Sequence, residues 1–222
     1  TTVGNTTAAT LGPNPFQIFY GGMKQQMMWR ASELTALGLV AGSQINSIAI
    51  NLATLRTDGT AVLNNFRVKS QWSSSITALT TTPVSSGWFL QAGPVNYTPV
   101  LGSNTVTLGT PLVWNGTDNL LLEFNYSNNN TGTTGTTFNT ATYDLTAGYA
   151  ATSFYRVDNN TAAQLNNYAM TMSFTYQGRN NVRFGVTQPP SFTWNPNGSL
   201  IPGSGANVSA SPTADETYTV TA

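Results

Sequence analysis

The chain has 222 residues, and its 8 basic residues (Lys plus Arg) balance its 8 acidic ones (Asp plus Glu), which leaves no field to draw in nucleic acid or an anionic membrane surface. Charged residues are 7% of the chain, against about 25% in an ordinary soluble domain, so hydration falls to Thr, Asn, Ser and Gln. Cys and His are both absent, no apolar run approaches the roughly 18 residues of a membrane span, and no charged-then-apolar leader opens the chain.

This length accommodates one large β domain, or one domain and part of another. In chain order the first distinct element is helical. Ser32-Glu33-Leu34-Thr35-Ala36-Leu37-Gly38 starts on a capping Ser and ends on a Gly suited to a left-handed stop, and Leu34 and Leu37 would cover an open end of a core. From there the patterning has period two. Ile48, Ile50 and Leu52 predict one strand. Phe66 and Val68, flanked by Arg67 and Lys69, predict a shorter, half-exposed one, and Val106 with Leu108 a third. Leu120, Leu122, Phe124 and Tyr126 predict a strand with one face in a core and the other in water. The stretch 128–137, almost entirely Asn, Thr and Gly, predicts an exposed mobile loop. The clearest alternation is Tyr168, Met170, Met172, Phe174 and Tyr176, which predicts one long strand. Asp58-Gly59, Gly93-Pro94, Gly102-Ser103-Asn104 and Asn115-Gly116 supply turns between these runs. Short strands punctuated in this way predict an all-β sandwich.

After about Arg183 the character changes. Gln188-Pro189-Pro190 is a stiff extended segment, followed by strand-like Phe192-Thr193-Trp194-Asn195-Pro196 and Thr217-Tyr218-Thr219-Val220-Thr221. So short a tail is too small for an independent sandwich. The expected division is therefore 1–186 and 187–222, the second part being a linker with part of a further β module that continues beyond Ala222.

Without His or Cys the chain can build neither a His-based triad nor a His/Cys zinc site. Carboxylate pairs of the glycosidase type need two acids at roughly 5 to 10 Å across a cleft. Glu123 is the only acid inside a strongly patterned strand; Asp118 sits at its turn and Glu33 in the helix. The expectation is a chain without catalytic residues. Calcium, bound through carboxylate, amide and backbone oxygens, has candidate ligands in Asp118 and Asp158, with Asn119 and Asn159 as neutral donors. Asp58 and Asp144 are further acids of the same kind. Each also reads as an Asp bonding its own turn, and no pair has the spacing of a dedicated calcium loop. Glycans stack on exposed rings and hydrogen-bond to amides; Trp72 and Trp88, in polar surroundings, are the candidate platforms. Lys24 and Lys69 are candidates for an intramolecular cross-link to an Asn near Glu123, which would show as a mass lower by one ammonia.

Several runs together resemble a module of the giant secreted adhesins of gliding Bacteroidetes. They are Thr1-Thr2-Val3-Gly4-Asn5-Thr6, Pro15-Phe16, Lys24-Gln25-Gln26, Ala31-Ser32-Glu33-Leu34, residues 45–52, Trp114-Asn115-Gly116-Thr117-Asp118-Asn119-Leu120 and Gly178-Arg179-Asn180-Asn181-Val182-Arg183-Phe184. The resemblance covers about residues 1–186, with Lys24 and Asn180 standing where the family more often has Arg and Pro. The remainder resembles the second half of the immunoglobulin-like repeats of the same proteins. It implies a jelly-roll-like β-sandwich followed by part of an immunoglobulin-like β-sandwich module. It further implies export by type IX secretion to the bacterial cell surface, and a role in attachment or gliding motility. The partners implied are a surface polysaccharide or other extracellular ligand and neighbouring modules of the same long chain, with no nucleic acid and no membrane insertion. Two other readings stay open: a carbohydrate-binding accessory module of a secreted polysaccharide-degrading enzyme, and a structural filament or spacer subunit.

Overall fold

The computed structural model describes residues 2–4, 10–58, 62–132, 138–144 and 147–222. Gly59 of the Asp58-Gly59 turn, Asn5 and Thr6 of the N-terminal motif, and 133–137 of the Asn/Thr/Gly stretch lie outside them. The chain divides into two compact units, Thr1–Thr187 and Gln188–Ala222.

The first unit is an all-β sandwich. Its elements in order are β1 (Thr2–Gly4), β2 (Thr10–Gly12), β3 (Gly22–Trp29), α1 (Ala31–Ala36), β4 (Gln44–Thr54), β5 (Leu63–Ser73), β6 (Phe89–Tyr97) and β7 (Gly102–Val113). There follow β8 (Asn119–Ser127), β9 (Thr140–Asp144), β10 (Thr152–Val157), α2 (Ala162–Asn166), β11 (Phe174–Tyr176), β12 (Arg179–Asn180) and β13 (Val182–Thr187). One sheet has 7 strands, along the path β1-β13-β4-β9-β12 with β2 on β9 and β7 on β4; the other has 6, in the order β11-β10-β3-β8-β5-β6. Every pairing within them is antiparallel.

One core lies between the two sheets. Ile45, Ile48, Ile50, Leu52 and Phe184 from the larger sheet meet Met27, Trp29, Phe66, Leu122 and Phe124 from the smaller one. Trp29 and Phe184 meet edge to face at 5.2 Å across the gap. Strand β4 shows how sequence phase is adjusted to this core. Ile45 and Ile48 are three residues apart, which strict alternation would send to opposite faces. The ladder shifts register between Ile45 and Ser47 on one side and between Gly185 and Val186 on the other. Asn46 is the residue left over, and the bulge returns both isoleucines to the inside.

Strand β8 differs from its expectation on one point. Leu120, Leu122, Phe124 and Tyr126 enter the core, but Leu121, Glu123 and Asn125 on the opposite face are buried too. Irregular chain covers that outer face. Leu79, with Ile76, Val84 and Trp88 behind it, packs on Met28 and Leu121, and α2 lies against β3 and β8. The long strand expected across Tyr168–Tyr176 shortens to β11, three residues. Tyr168 instead takes a left-handed backbone with φ of 57° and sends its ring onto the covered face.

Helix α1 forms where a helix was expected, but Arg30 is its N-cap and Ser32 lies inside it. Glu33 reaches back to the Arg30 amide at 2.7 Å, which closes the first turn. Gly38 follows with φ of 88°. Leu34 is fully buried, and Arg179 of β12 holds Glu33 at 2.6 Å. The second unit contains β14 (Thr193–Asn195), β15 (Leu200–Ile201), β16 (Ser209–Ala210) and β17 (Thr219–Thr221). Trp194 pairs with Val220 across β14 and β17.

The lid role of α1 is measurable. Leu34→Ala is expected to lower the unfolding free energy by about 2–5 kcal/mol, the range for a buried Leu truncation. The half-buried Leu37→Ala should cost clearly less, and denaturant unfolding of both variants checks the order.

Candidate functional site

Two places in the first unit concentrate chemistry: a polar cluster under the outer face of the six-stranded sheet, and an aromatic cleft where the two sheets part.

The cluster arises from register. Antiparallel pairing sets Gln26 of β3 and Lys69 of β5 on either side of Glu123 in β8, and Lys24 opposite Asn125. All of these side chains point away from the core. Glu123 is 0% exposed. Its Oε1 accepts hydrogen bonds from Lys69 Nζ at 3.1 Å, Asn125 Nδ2 at 3.1 Å and the Tyr168 hydroxyl at 3.0 Å. Its Oε2 accepts one from Gln26 Nε2 at 2.8 Å. Gln26 also exchanges hydrogen bonds with the Val84 backbone, accepting from its N–H at 3.0 Å and donating to its carbonyl at 2.8 Å, so the covering segment is bonded to the same group that braces the carboxylate.

Two cations share this one carboxylate. Lys24 is also 0% exposed; its Nζ lies 3.8 Å from Glu123 Oε2 and 3.5 Å from the centre of the Tyr168 ring. No hydrogen-bond acceptor reaches that nitrogen. Burial pulls the Lys24 pKa down to about 8, with Lys69 adding to the effect and Glu123 opposing it. Lys69 is better served, donating to Asn166 Oδ1 at 2.5 Å and to the Tyr168 hydroxyl at 3.0 Å besides Glu123. The left-handed backbone of Tyr168, a conformation costing about 1–3 kcal/mol, is held by these contacts.

The cleft opens on the far side of the same sheet, between its edge strand β11 with the adjacent β10 and the facing β9. It encloses about 310 Å³ and is lined by Gln17, Phe138, Phe154, Arg156, Phe174 and Tyr176, among others. Phe154 and Phe174 stack at 5.6 Å, and Tyr176 meets Phe174 edge-on at 5.3 Å. The Arg156 guanidinium lies 4.8 Å from the Tyr20 ring and 5.4 Å from Phe174. Phe138 is 40% exposed at the rim. Flat rings beside a guanidinium and an amide can take the C–H face of a sugar and hydrogen-bond its hydroxyls.

No family model matches the chain, and no curated protein or solved structure matches it.

The residues singled out from sequence are spread through the fold. Trp72 is half-buried against the main core, while Trp88 packs on the smaller apolar cluster of the outer face and gives its indole N–H to Val84 O at 2.9 Å. The two rings therefore stand on opposite faces of one sheet. Asp118 takes part in a turn: its N–H donates to Asn115 Oδ1 and its carbonyl accepts from Trp114 Nε1. Asn119 spends both ends of its amide on Ala31 N and Ile76 O. Asp158 Oδ1 accepts from the amides of Gly21 and Gly132, each at 2.8 Å, and Asn159 Oδ1 accepts from Thr131. Asn119 begins β8 beside the Trp29 end of β3, whereas Asp158 follows β10 at the Gly22 end, so the structure does not bring the two pairs together. Among the described residues no three metal-ligating acids gather, and no helix is long and apolar enough to cross a membrane.

The cleft residues had no clear signal in the sequence, because Phe174 and Tyr176 read as ordinary core positions and Phe154 and Arg156 as nothing in particular. Asn166 and Tyr168 were equally silent. The pointers to the cluster were a Glu inside an apolar strand and the two lysines, Lys24 and Lys69, that are candidates for a cross-link to an Asn near it.

The cluster sets a pH profile. Lys24 has a folded pKa of about 8 against 10.5 unfolded, so its protonation opposes folding below pH 8 and this cost fades as pH rises toward 10.5. Burial raises the pKa of Tyr126, Tyr143, Tyr149 and the half-buried Tyr168 above 10.0, so their contribution is lost above that point. Unfolding free energy should therefore rise from pH 8 toward 10 and fall beyond, as followed by denaturant titration. Glu123→Gln, which strips two buried ammonium groups of their counter-charge, should cost about 3–5 kcal/mol at pH 7.

Proposed function

We propose that this chain is a non-catalytic holding segment of a secreted bacterial cell-surface adhesin, serving attachment or gliding motility. Its larger unit is read as a jelly-roll-like module and its smaller one as part of an immunoglobulin-like module. The observation that carries this reading is the aromatic cleft. Phe138, Phe174 and Tyr176 offer ring surface, backed by the buried Phe154, and Arg156 and Gln17 offer donors, which is a surface suited to holding a polysaccharide. Further support comes from Glu123, the one acid inside the patterned strands, which is enclosed by four hydrogen-bond donors and has no exposed surface. The resemblance of residues 1–186 to type IX-secreted adhesins points the same way.

A spacer or filament subunit is a second reading, favoured by β6. This edge strand of the smaller sheet carries Phe89 at 70% exposure and Leu90 at 52%, an apolar strip at an edge suited to packing on a neighbouring module.

One experiment separates them. The whole chain should bind neutral or acidic polysaccharides on a glycan array, and Phe174→Ala or Arg156→Ala should weaken that binding at least tenfold with an unchanged circular dichroism spectrum. A chain that binds none of them, and forms filaments visible by electron microscopy that Phe89→Ser disperses, would replace the first reading with the second.

A further inference from the structure

We infer that Lys69 and Asn166 join in an intramolecular amide bond, linking strand β5 to helix α2 with release of one ammonia. The inference is independent of what the cleft holds. Nucleophile, electrophile and proton carrier already stand in contact: Lys69 Nζ is 2.5 Å from Asn166 Oδ1 and 3.1 Å from Glu123 Oε1. Asn125 Nδ2 points at the same Asn166 oxygen at 3.4 Å, placed to steady negative charge there. Asn166 Nδ2, the group that would leave, donates to Ala162 O at 2.6 Å, which holds the carboxamide in one orientation.

Charge supplies the direction. Lys24 and Lys69 face a single carboxylate at a site covered by the half-buried Tyr168 ring, with Glu123 and Lys24 fully buried and Lys69 13% exposed. One positive charge is in excess, and burying an unmatched charge is costly. Converting the Lys69 ammonium to a neutral amide leaves Lys24 and Glu123 as an even pair. The residue types are also selective: Lys24 has no amide oxygen within hydrogen-bond distance, whereas Lys69 has that of Asn166.

The step balances without an outside reactant. Glu123 accepts a proton from the Lys69 ammonium, and the freed lone pair forms a bond to Asn166 Cγ. The carbonyl oxygen carries the negative charge of the tetrahedral intermediate beside Asn125 Nδ2. As the carbonyl reforms, the Cγ–Nδ2 bond breaks. Glu123 hands its proton to Nδ2, which departs as ammonia, and takes up the remaining surplus proton of the lysine nitrogen; that last proton leaves the site with the ammonia, as ammonium, and restores the Glu123 carboxylate. One ammonium and one primary amide become one secondary amide and one ammonium ion, so the covalent chain loses the mass of one ammonia and the site loses one positive charge; nothing is oxidised or reduced.

Intact-mass spectrometry of the purified whole chain tests this. The expected mass lies one ammonia below the sequence value, and peptide mapping should find a branched peptide joining Lys69 to Asn166. The branch is decisive, because Asn115-Gly116 and Asn197-Gly198 can close to succinimides with the same loss. Lys69→Met and Asn166→Ala should each restore the full mass while circular dichroism stays that of a β protein. Folded wild-type chain at full sequence mass overturns the inference. So does a deficit without a branched peptide, or a branch that starts from Lys24.

Discussion

A carboxylate shut away from water in the middle of a sheet dictates much of what surrounds it. Leaving Glu123 unmatched would cost several kcal/mol, and the fold meets that demand with donors from three directions. Gln26 and Lys69 come from the flanking strands, Asn125 from the same strand, and Tyr168 from the chain laid over the top. Because Tyr168 and Gln26 also fasten the covering segments, the acid organises the outer layer as well as its own neighbours. This is why β8 and its neighbour β3 are buried on both faces, whereas a strand such as β7 alternates inside and outside.

The two sites use the six-stranded sheet differently. Its outer face is sealed, and its charges are turned on one another. Its inner face opens along the β10–β11 edge, where aromatic rings that belong to the core continue outward to the rim. Phe154 is part of the main core and Phe174 packs against it, so the cleft floor is stiffened by the same contacts that stabilise the sandwich. A rigid floor suits a holding function, since little side-chain freedom remains to be lost when a ligand arrives.

Reading the chain without coordinates recovered what periodicity can carry. Ile48, Ile50 and Leu52, and Leu120 through Tyr126, lie in strands because each side chain's destination is local information. The all-β class followed from that. The Tyr168–Tyr176 run shows the limit. Alternation there is genuine, yet the pull of Lys24 and Glu123 on Tyr168 is a contact across 45 residues or more, and it bends the chain out of extended conformation. Ser32 was mistaken for a cap because Arg30, two residues earlier, is an unusual N-cap whose helix is closed by Glu33. The cleft was illegible for a similar reason: Gln17, Phe138, Arg156 and Phe174 are gathered by sheet topology, and no spacing along the chain encodes it.

Strands β1 and β13 lie side by side and antiparallel, with Thr2 opposite Gly185. The larger unit is thus entered and left at neighbouring points on one rim of a sheet. Tension applied between those points would peel β1 from β13 one hydrogen bond at a time, a low-resistance geometry compared with sliding whole strands past each other. The core, the sealed acid and the aromatic cleft all lie off that line of force. Under such a load the edge strand β1 can give way while the sandwich core behind it keeps its packing.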